Sequence, residues 1–301
     1  MQVLASIFLS LFLCQLGSTS IIPGQGEKQL LGDIIRYNSG VKSMTPISSD
    51  STILTTCNGV LNATSGGIAY KAFEPIAANE RCVWTIRGGN ADGFSLNVLN
   101  LGFSNSSSDT QVIATCLRHR SSTTHILLNQ TGSVNSGLVS RCNLLVITFA
   151  SGNDVENSNG FVLEYAALRP NSLSPGSLDY IVDASEAIIV RHPTNSASEY
   201  GNFELNTFVV LPALGSNTNV IYFREALEGS TCYDSLGVYR FNATSVVPTK
   251  WQYEGRICGN IASDVISNGD LIMITFETDV SIAGAGFQLV IASNGASDCR
   301  I

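Results

Sequence analysis

Cysteine supplies most of the chemistry available to this sequence. Six cysteines fall into successive pairs of nearly equal gap: Cys57 and Cys82 lie 25 positions apart, Cys116 and Cys142 lie 26 apart, and so do Cys232 and Cys258. Cys299 stands two residues from the end with no such partner. Gaps of this length favour disulfides formed in an oxidising compartment over a cysteine nucleophile, although spacing alone leaves the connectivity open. Zinc is not expected, because structural zinc sites draw on Cys and His pairs only a few residues apart and none occurs here. The histidines are His119, His125 and His192. No Gly-x-Ser-x-Gly elbow, His-Glu-x-x-His helix or phosphate-cradling glycine loop accompanies them, so no catalytic residue is assigned. A hydrolase whose Ser, His and Asp meet only in space is the less favoured alternative.

The compartment is argued independently by the first residues. Val3 to Leu16 form an apolar run, with Cys14 inside it, followed by the small residues Gly17, Ser18, Thr19 and Ser20. This is the layout of a secretory signal peptide over residues 1–20, although no basic residue stands near Met1. The run is shorter than the roughly 20 apolar residues that cross a bilayer, and no membrane span is expected in the mature chain. The expected location is therefore secreted and extracellular. About 280 mature residues suffice for two domains, each with its own core. Net charge is -8, which argues against nucleic acid or an anionic membrane as a generic partner. Charged residues make up only 13% of the chain, so its solubility rests largely on Ser, Thr, Asn, Gln and Gly.

The elements that position these residues read as strands. Leu144-Leu-Val-Ile-Thr-Phe149, a polar connection, and Asn159-Gly-Phe-Val-Leu-Glu-Tyr-Ala166 recur as Leu271-Ile-Met-Ile-Thr-Phe276, a loop with Asp279, and Ala285-Gly-Phe-Gln-Leu-Val-Ile-Ala292. Such a repeat points to two related β domains. Val83 to Ile86, Phe94 to Leu99, Phe203 to Asn206 and Asn219 to Phe223 add further strand candidates, and Asn58-Gly59, Gly66-Gly67 and Asp92-Gly93 add turns. The fold class expected is all-β: two consecutive antiparallel β-sandwiches whose inner faces form cores while their outer faces stay polar. The organisation expected is an N-terminal arm over 21–56, a first domain over 57–167, a Pro/Gly/Ser linker over 168–179, a second domain over 180–294 and a flexible tail over 295–301.

This combined pattern resembles the CUB family. Cys57-Asn-Gly-Val-Leu61, Ala69-Tyr70 and Cys82-Val-Trp-Thr-Ile86 are similar to the family's opening half, and Cys116, Cys142, Ile147-Thr-Phe149 and Gly160-Phe161 to its closing half. The second copy is most similar at Cys232-Tyr-Asp-Ser-Leu236, Ile257-Cys-Gly259, Ile274-Thr-Phe276 and Gly286-Phe287, and lacks the expected first cysteine pair. The resemblance implies bridges Cys57–Cys82 and Cys116–Cys142, leaving Cys232 to pair with Cys258. It also implies CUB-like β-sandwiches serving extracellular recognition.

Some members of that family bind calcium through carboxylates, and the matching positions here are Asp234, Asp279 and, upstream, Glu228, with Glu225 as substitute. Three carboxylates would suit a hard, oxygen-seeking cation. The resemblance thus implies a calcium site in the second domain, with Tyr233 contributing to a protein-binding surface beside it; solvated loop carboxylates are the alternative. The first domain has Thr115-Cys-Leu117 in place of the Tyr-Asp element, and no site is assigned there. Asn62, Asn105, Asn129 and Asn242 head glycosylation sequons. The function expected is a secreted, noncatalytic protein-recognition or assembly module with an extracellular protein partner; a structural matrix or coat component is the alternative. Cys299, in a polar terminal stretch, is expected to form an intermolecular disulfide linking a homodimer, with internal pairing and a free thiol as alternatives.

Overall fold

A computed structural model describes residues 52–89, 91–103, 109–120, 123–128, 136–168, 178–183, 188–194, 198–211, 218–227, 232–242, 250–259, 262–268, 271–281 and 283–293. The expected signal segment, residues 21–51 of the expected arm, most of the expected linker, the terminal residues with Cys299, and Glu228, Asn105 and Asn129 lie outside these residues.

The first half supplies β1 (Thr52–Leu54), β2 (Gly59–Leu61), β3 (Ser65–Pro75), β4 (Arg81–Ile86), β5 (Gly93–Leu101), β6 (Gln111–Leu117), β7 (Thr124–Leu127), β8 (Ser136–Ser140), β9 (Leu144–Ala150) and β10 (Asn159–Ala167). The second half supplies β11 (Asp179–Asp183), β12 (Ile188–His192), β13 (Leu205–Leu211), β14 (Thr218–Ala226), β15 (Ser235–Phe241), β16 (Trp251–Ile257), β17 (Ala262–Asn268), β18 (Ile272–Glu277) and β19 (Gly286–Ser293). Each half is a pair of facing sheets. The first half has the orders β1-β3-β10-β5-β8 and β2-β4-β9-β6-β7, and the second has β12-β19-β14-β17 and β11-β13-β18-β15-β16. The architecture is all-β, two consecutive sandwiches built mainly from antiparallel pairs.

The sequence repeat is a repeat of topology. β9 is the central strand of its sheet and β18 of the corresponding one, each flanked by antiparallel neighbours, with a short parallel pair at the edge: β2 with β4, and β11 with β13. β10 and β19 likewise hold equivalent places in the two outer sheets. Thr52–Leu54, within the arm, pairs in parallel with the start of β3, and Asp179, the last linker position, opens β11.

Alternation sorts each strand between two environments. In β9, Leu145, Ile147 and Phe149 face the first core with Trp84 and Phe161, while Leu144, Val146 and Ala150 face the other way. In the second half, Ile272, Ile274 and Phe276 face a core with Phe208 and Phe287, while Met273 faces outward. The two outward rows do not meet water. Val83, Ile113, Leu144 and Val146 pack in one cluster with Val209, Phe241, Trp251 and Met273, so the β9 sheet of one sandwich lies against the β18 sheet of the other. For these two sheets, this corrects the expectation that the outer faces are polar. The near-continuous apolar runs at 144–149 and 271–276 are what strands buried on both faces require.

The structure pairs Cys57 with Cys82, Cys116 with Cys142 and Cys232 with Cys258, at Cα separations of 5.2, 5.5 and 5.2 Å. Cys82, Cys116 and Cys142 are wholly buried, so two of these bridges also fill core volume. Gly160 marks a point of close approach: a Cβ there would collide with the Tyr70 carbonyl of β3, beside the register shift at the start of β10.

Candidate functional site

The turn after β6 carries Arg118, His119 and Arg120 toward the second sandwich. Asn143 holds it in place, its Oδ1 accepting the His119 amide at 2.9 Å. From there the His119 ring donates from Nε2 to the Thr278 carbonyl at 2.7 Å, and the Arg120 amide donates to Glu277 Oε2 at 2.9 Å. Burial pulls the His119 pKa below its ordinary 6.5, aided by the nearby Arg120 charge and opposed by the Thr278 hydrogen bond. Burial lifts Glu277 above 4.5 against the Arg120 amide and the charges of Arg256 and Arg120. The Arg120 guanidinium lies 3.6 Å from Asp279 Oδ2.

Asp234, wholly buried, anchors the loops at this end of the second sandwich. Its Oδ2 accepts the Tyr200 hydroxyl at 2.6 Å and its Oδ1 accepts the Asp279 amide at 2.8 Å. Asp279 in turn accepts the Ser281 amide at 2.8 Å, and its carbonyl accepts the Phe203 amide at 2.8 Å. Fixing the backbone this way leaves apolar side chains facing solvent: Phe203, Tyr233 and Val280 are 40%, 49% and 61% exposed. The structure therefore brings Asp234, Asp279 and Tyr233 to one loop end. Glu228 lies outside the described residues, and the side chain of Glu225 does too. Asp234 and Asp279 offer the oxygen donors that a hard cation takes, but two carboxylates alone fall short of the six to eight oxygens of a calcium site. Among the described residues no group of three His, Cys, Asp or Glu side chains is placed to hold a metal. In the first sandwich Gly152 stands three residues past Phe149, where the second has Asp279 past Phe276.

His192 is tied inside the second sandwich. Its Nε2 lies 2.6 Å from Glu204 Oε2, which also accepts Asn206 Nδ2 at 2.7 Å, while Glu204 Oε1 accepts the Gly201 amide at 2.6 Å. The pKa of Glu204 stays below 4.5 although burial raises it, because the His192 hydrogen bond and charge and the Gly201 and Asn206 bonds outweigh that burial. His125 belongs to β7, and its side chain is outside what is described. Asn62 is exposed and Asn242 partly so.

Sequence reasoning missed the polar contacts that cross between the sandwiches. Arg87 donates from Nε to Asp179 Oδ2 at 2.7 Å and from Nη2 to Asp179 Oδ1 at 2.6 Å and the Leu205 carbonyl at 2.7 Å. Trp251 Nε1 donates to Thr148 Oγ1 at 3.0 Å. The one signal available was Thr148 and Thr275 recurring inside otherwise apolar runs.

Fold and site together define a tandem β-sandwich protein in which disulfides hold each half and a loop end presents apolar side chains above the buried Asp234. Among the described residues no helix is long and apolar enough to cross a membrane. No protein-family model and no curated protein sequence matches the chain. Among solved structures it is similar to the CUB1-EGF-CUB2 domain of human MASP-1/3, at 16% identity over 76% of this chain and 99% of that chain, with a TM-score of 0.32. It is similar to the CUB1-EGF-CUB2 domains of rat MASP-1 at 14% identity over 78% of this chain and 99% of that one, with a TM-score of 0.31. The full extracellular region of zebrafish Gpr126/Adgrg6 aligns at 14% identity over 82% of this chain and 39% of that one, with a TM-score of 0.29. Likeness at this level does not place the chain in a family.

Proposed function

We propose that the chain is a secreted, noncatalytic recognition protein of CUB-like architecture, which docks the loop end of its second sandwich against another extracellular protein. The observation that carries this reading is the exposure of Phe203, Tyr233 and Val280 on loops pinned by the buried Asp234. Exposed aromatic groups on a rigid frame anchor interfaces at low entropic cost, and the flanking Asp279 and Arg120 would set orientation. Calcium support belongs to the same reading: Asp234 and Asp279, with Glu228, would hold the ion, which would supply positive charge and order the loops. Cys299 would link two chains covalently, and Asn62, Asn105, Asn129 and Asn242 would carry glycans.

The test is capture of partners from the native extracellular fluid on immobilised protein, side by side with the Tyr233→Ala/Phe203→Ala variant. One partner retained by the wild type and lost from the variant, more strongly with calcium than with chelator, is expected. Retention unchanged in the variant would move the binding surface elsewhere, and substrate turnover abolished by a single substitution would end the noncatalytic reading. Recovery of the native protein as an insoluble covalent array would favour a matrix or coat component instead. Nonreducing mass analysis reads Cys299: a Cys299-linked dimer is expected, and monomer alone refutes it.

A further inference from the structure

At the rim of the contact between the sandwiches, the outward face of the β18 sheet is left uncovered and a cavity of 470 Å³ opens. That size falls within the roughly 300–1,000 Å³ of small-ligand sites. Its floor is Gly237 of β15. A Cβ there would lie 2.7 Å from Thr275 Oγ1 and 3.4 Å from Tyr239 Cε2, so the bare glycine is what gives the cavity depth. Glycine inside a strand commonly marks a place where another group approaches the backbone closely.

Strand register distributes the lining around that floor. Gly237 pairs with Arg256 on β16 and Thr275 on β18, Tyr239 pairs with Tyr253, and Ser235 pairs with Glu277. One end is therefore aromatic, with the Tyr239 and Tyr253 rings 5.2 Å apart and tilted by 58°. Tyr253 is 56% exposed, on a strand of which only Trp251 is buried. The other end is polar, combining the hydroxyls of Ser235 and Thr275 with the Glu277 carboxylate. Arg256 borders the cavity from the second sandwich, and Arg120 and Thr123 border it from the first.

We propose that this cavity binds a single saccharide unit of a glycan, stacked on Tyr253 and hydrogen-bonded through its hydroxyls to Glu277, Arg256 and Arg120. The choice of ligand follows from the mixture. A purely apolar ligand would strip water from a carboxylate and two guanidinium groups without replacing their hydrogen bonds. A compact anion would meet the guanidinium groups but also the Glu277 carboxylate, and would leave the aromatic end unused. A pyranose has an apolar C–H face for the rings and hydroxyls that both donate and accept, so it satisfies every part of the lining. Because the lining comes from both sandwiches, an occupied site would also tie the two together. The site shares Arg120 with the loop end, but Tyr253 and Arg256 lie on the strand face, so substitutions there test it separately from protein recognition at the loops.

Saturation-transfer NMR tests the proposal on the intact protein after removal of its own N-glycans, using the methyl glycosides of glucose, galactose, mannose and N-acetylglucosamine, and free glucuronic acid. Transfer to the ring protons of at least one sugar is expected. Its affinity should fall at least about tenfold in Tyr253→Ala and in Arg256→Gln, the loss that removal of one aromatic or arginine anchor brings. Gly237→Ala, whose Cβ intrudes on the floor, should weaken it as well. Both anchor side chains are exposed, so circular dichroism and the thermal midpoint of these two variants should match the wild type. Failure of all five sugars to receive saturation would overturn the proposal. So would binding that survives both anchor substitutions, or full competition by acetate or sulfate alone.

Discussion

Replacing Arg87 with Met, which keeps most of the side-chain volume and removes the charge, tests whether the contact between the sandwiches is structural. In the wild type the Arg87 and Asp179 side chains are 5% and 1% exposed, and two parallel hydrogen bonds of 2.7 and 2.6 Å join them. Asp179 Oδ1 also accepts the Thr207 hydroxyl at 2.5 Å, and Arg87 Nη2 satisfies the Leu205 carbonyl. Taking away the guanidinium strands a buried carboxylate and a carbonyl, which costs about 3–5 kcal/mol, far more than the ~0.2–1 kcal/mol of an exposed pair. With a urea dependence of about 3 kcal/mol/M, the unfolding midpoint should fall by about 1–1.7 M. The double variant Arg87→Met/Asp179→Leu removes both charges and should recover most of that loss, because the gain from a buried pair is largely offset by its desolvation. Trp84 in the first core and Trp251 at the seam give fluorescence probes on both sides, and both should report one shared transition. A midpoint shift below about 0.3 M for Arg87→Met would refute the reasoning, since that corresponds to a solvent-screened pair.

The pH dependence of the same seam follows from His119 and Glu277. The folded pKa of His119 is depressed, so its contribution is complete above pH 6.5 and is lost as pH falls through the lower folded value. Glu277 has the opposite sign: raised above 4.5, it stabilises fully below that pH and loses its contribution as pH rises through its folded value. Urea midpoints measured across pH 4–8 should show the acid-side loss below 6.5 shrink in His119→Gln and the opposing slope vanish in Glu277→Gln. Asp234→Asn keeps an acceptor at only one of the two positions that receive the Tyr200 hydroxyl and the Asp279 amide and sets an NH2 donor against the other, costing about 1–3 kcal/mol in urea unfolding. If calcium binds at this loop end, the same substitution should also abolish a calcium-induced rise in the thermal midpoint that the wild type shows. Replacing Cys116 and Cys142 together by Ala frees a 26-residue loop and should cost about 3.5 kcal/mol on the chain-entropy estimate.

Sequence alone determined the all-β class, because a strand writes its burial locally: alternation over Phe94 to Leu99 and the paired runs at 144–149 and 271–276 are visible without any partner. It also determined that Leu144–Phe149 and Leu271–Phe276 are equivalent, and the shared order of the two inner sheets gives that repeat its structural meaning. Of the loop end, Asp234, Tyr233 and Asp279 were legible through a motif resemblance, since each lies at a fixed offset from a strand. Tyr200 and Phe203 were not, because their roles depend on contacts with residues dozens of positions away. Tertiary structure alone decided what covers the outer faces of β9 and β18. A continuous apolar run specifies burial on both sides but carries no information about what does the burying, whether a helix, another chain or, as here, the other half of the same chain. Arg87, Asp179 and the Gly237 cavity belong to that second class. An arginine, an aspartate and a glycine acquire these surroundings only when sheets distant in sequence are brought together.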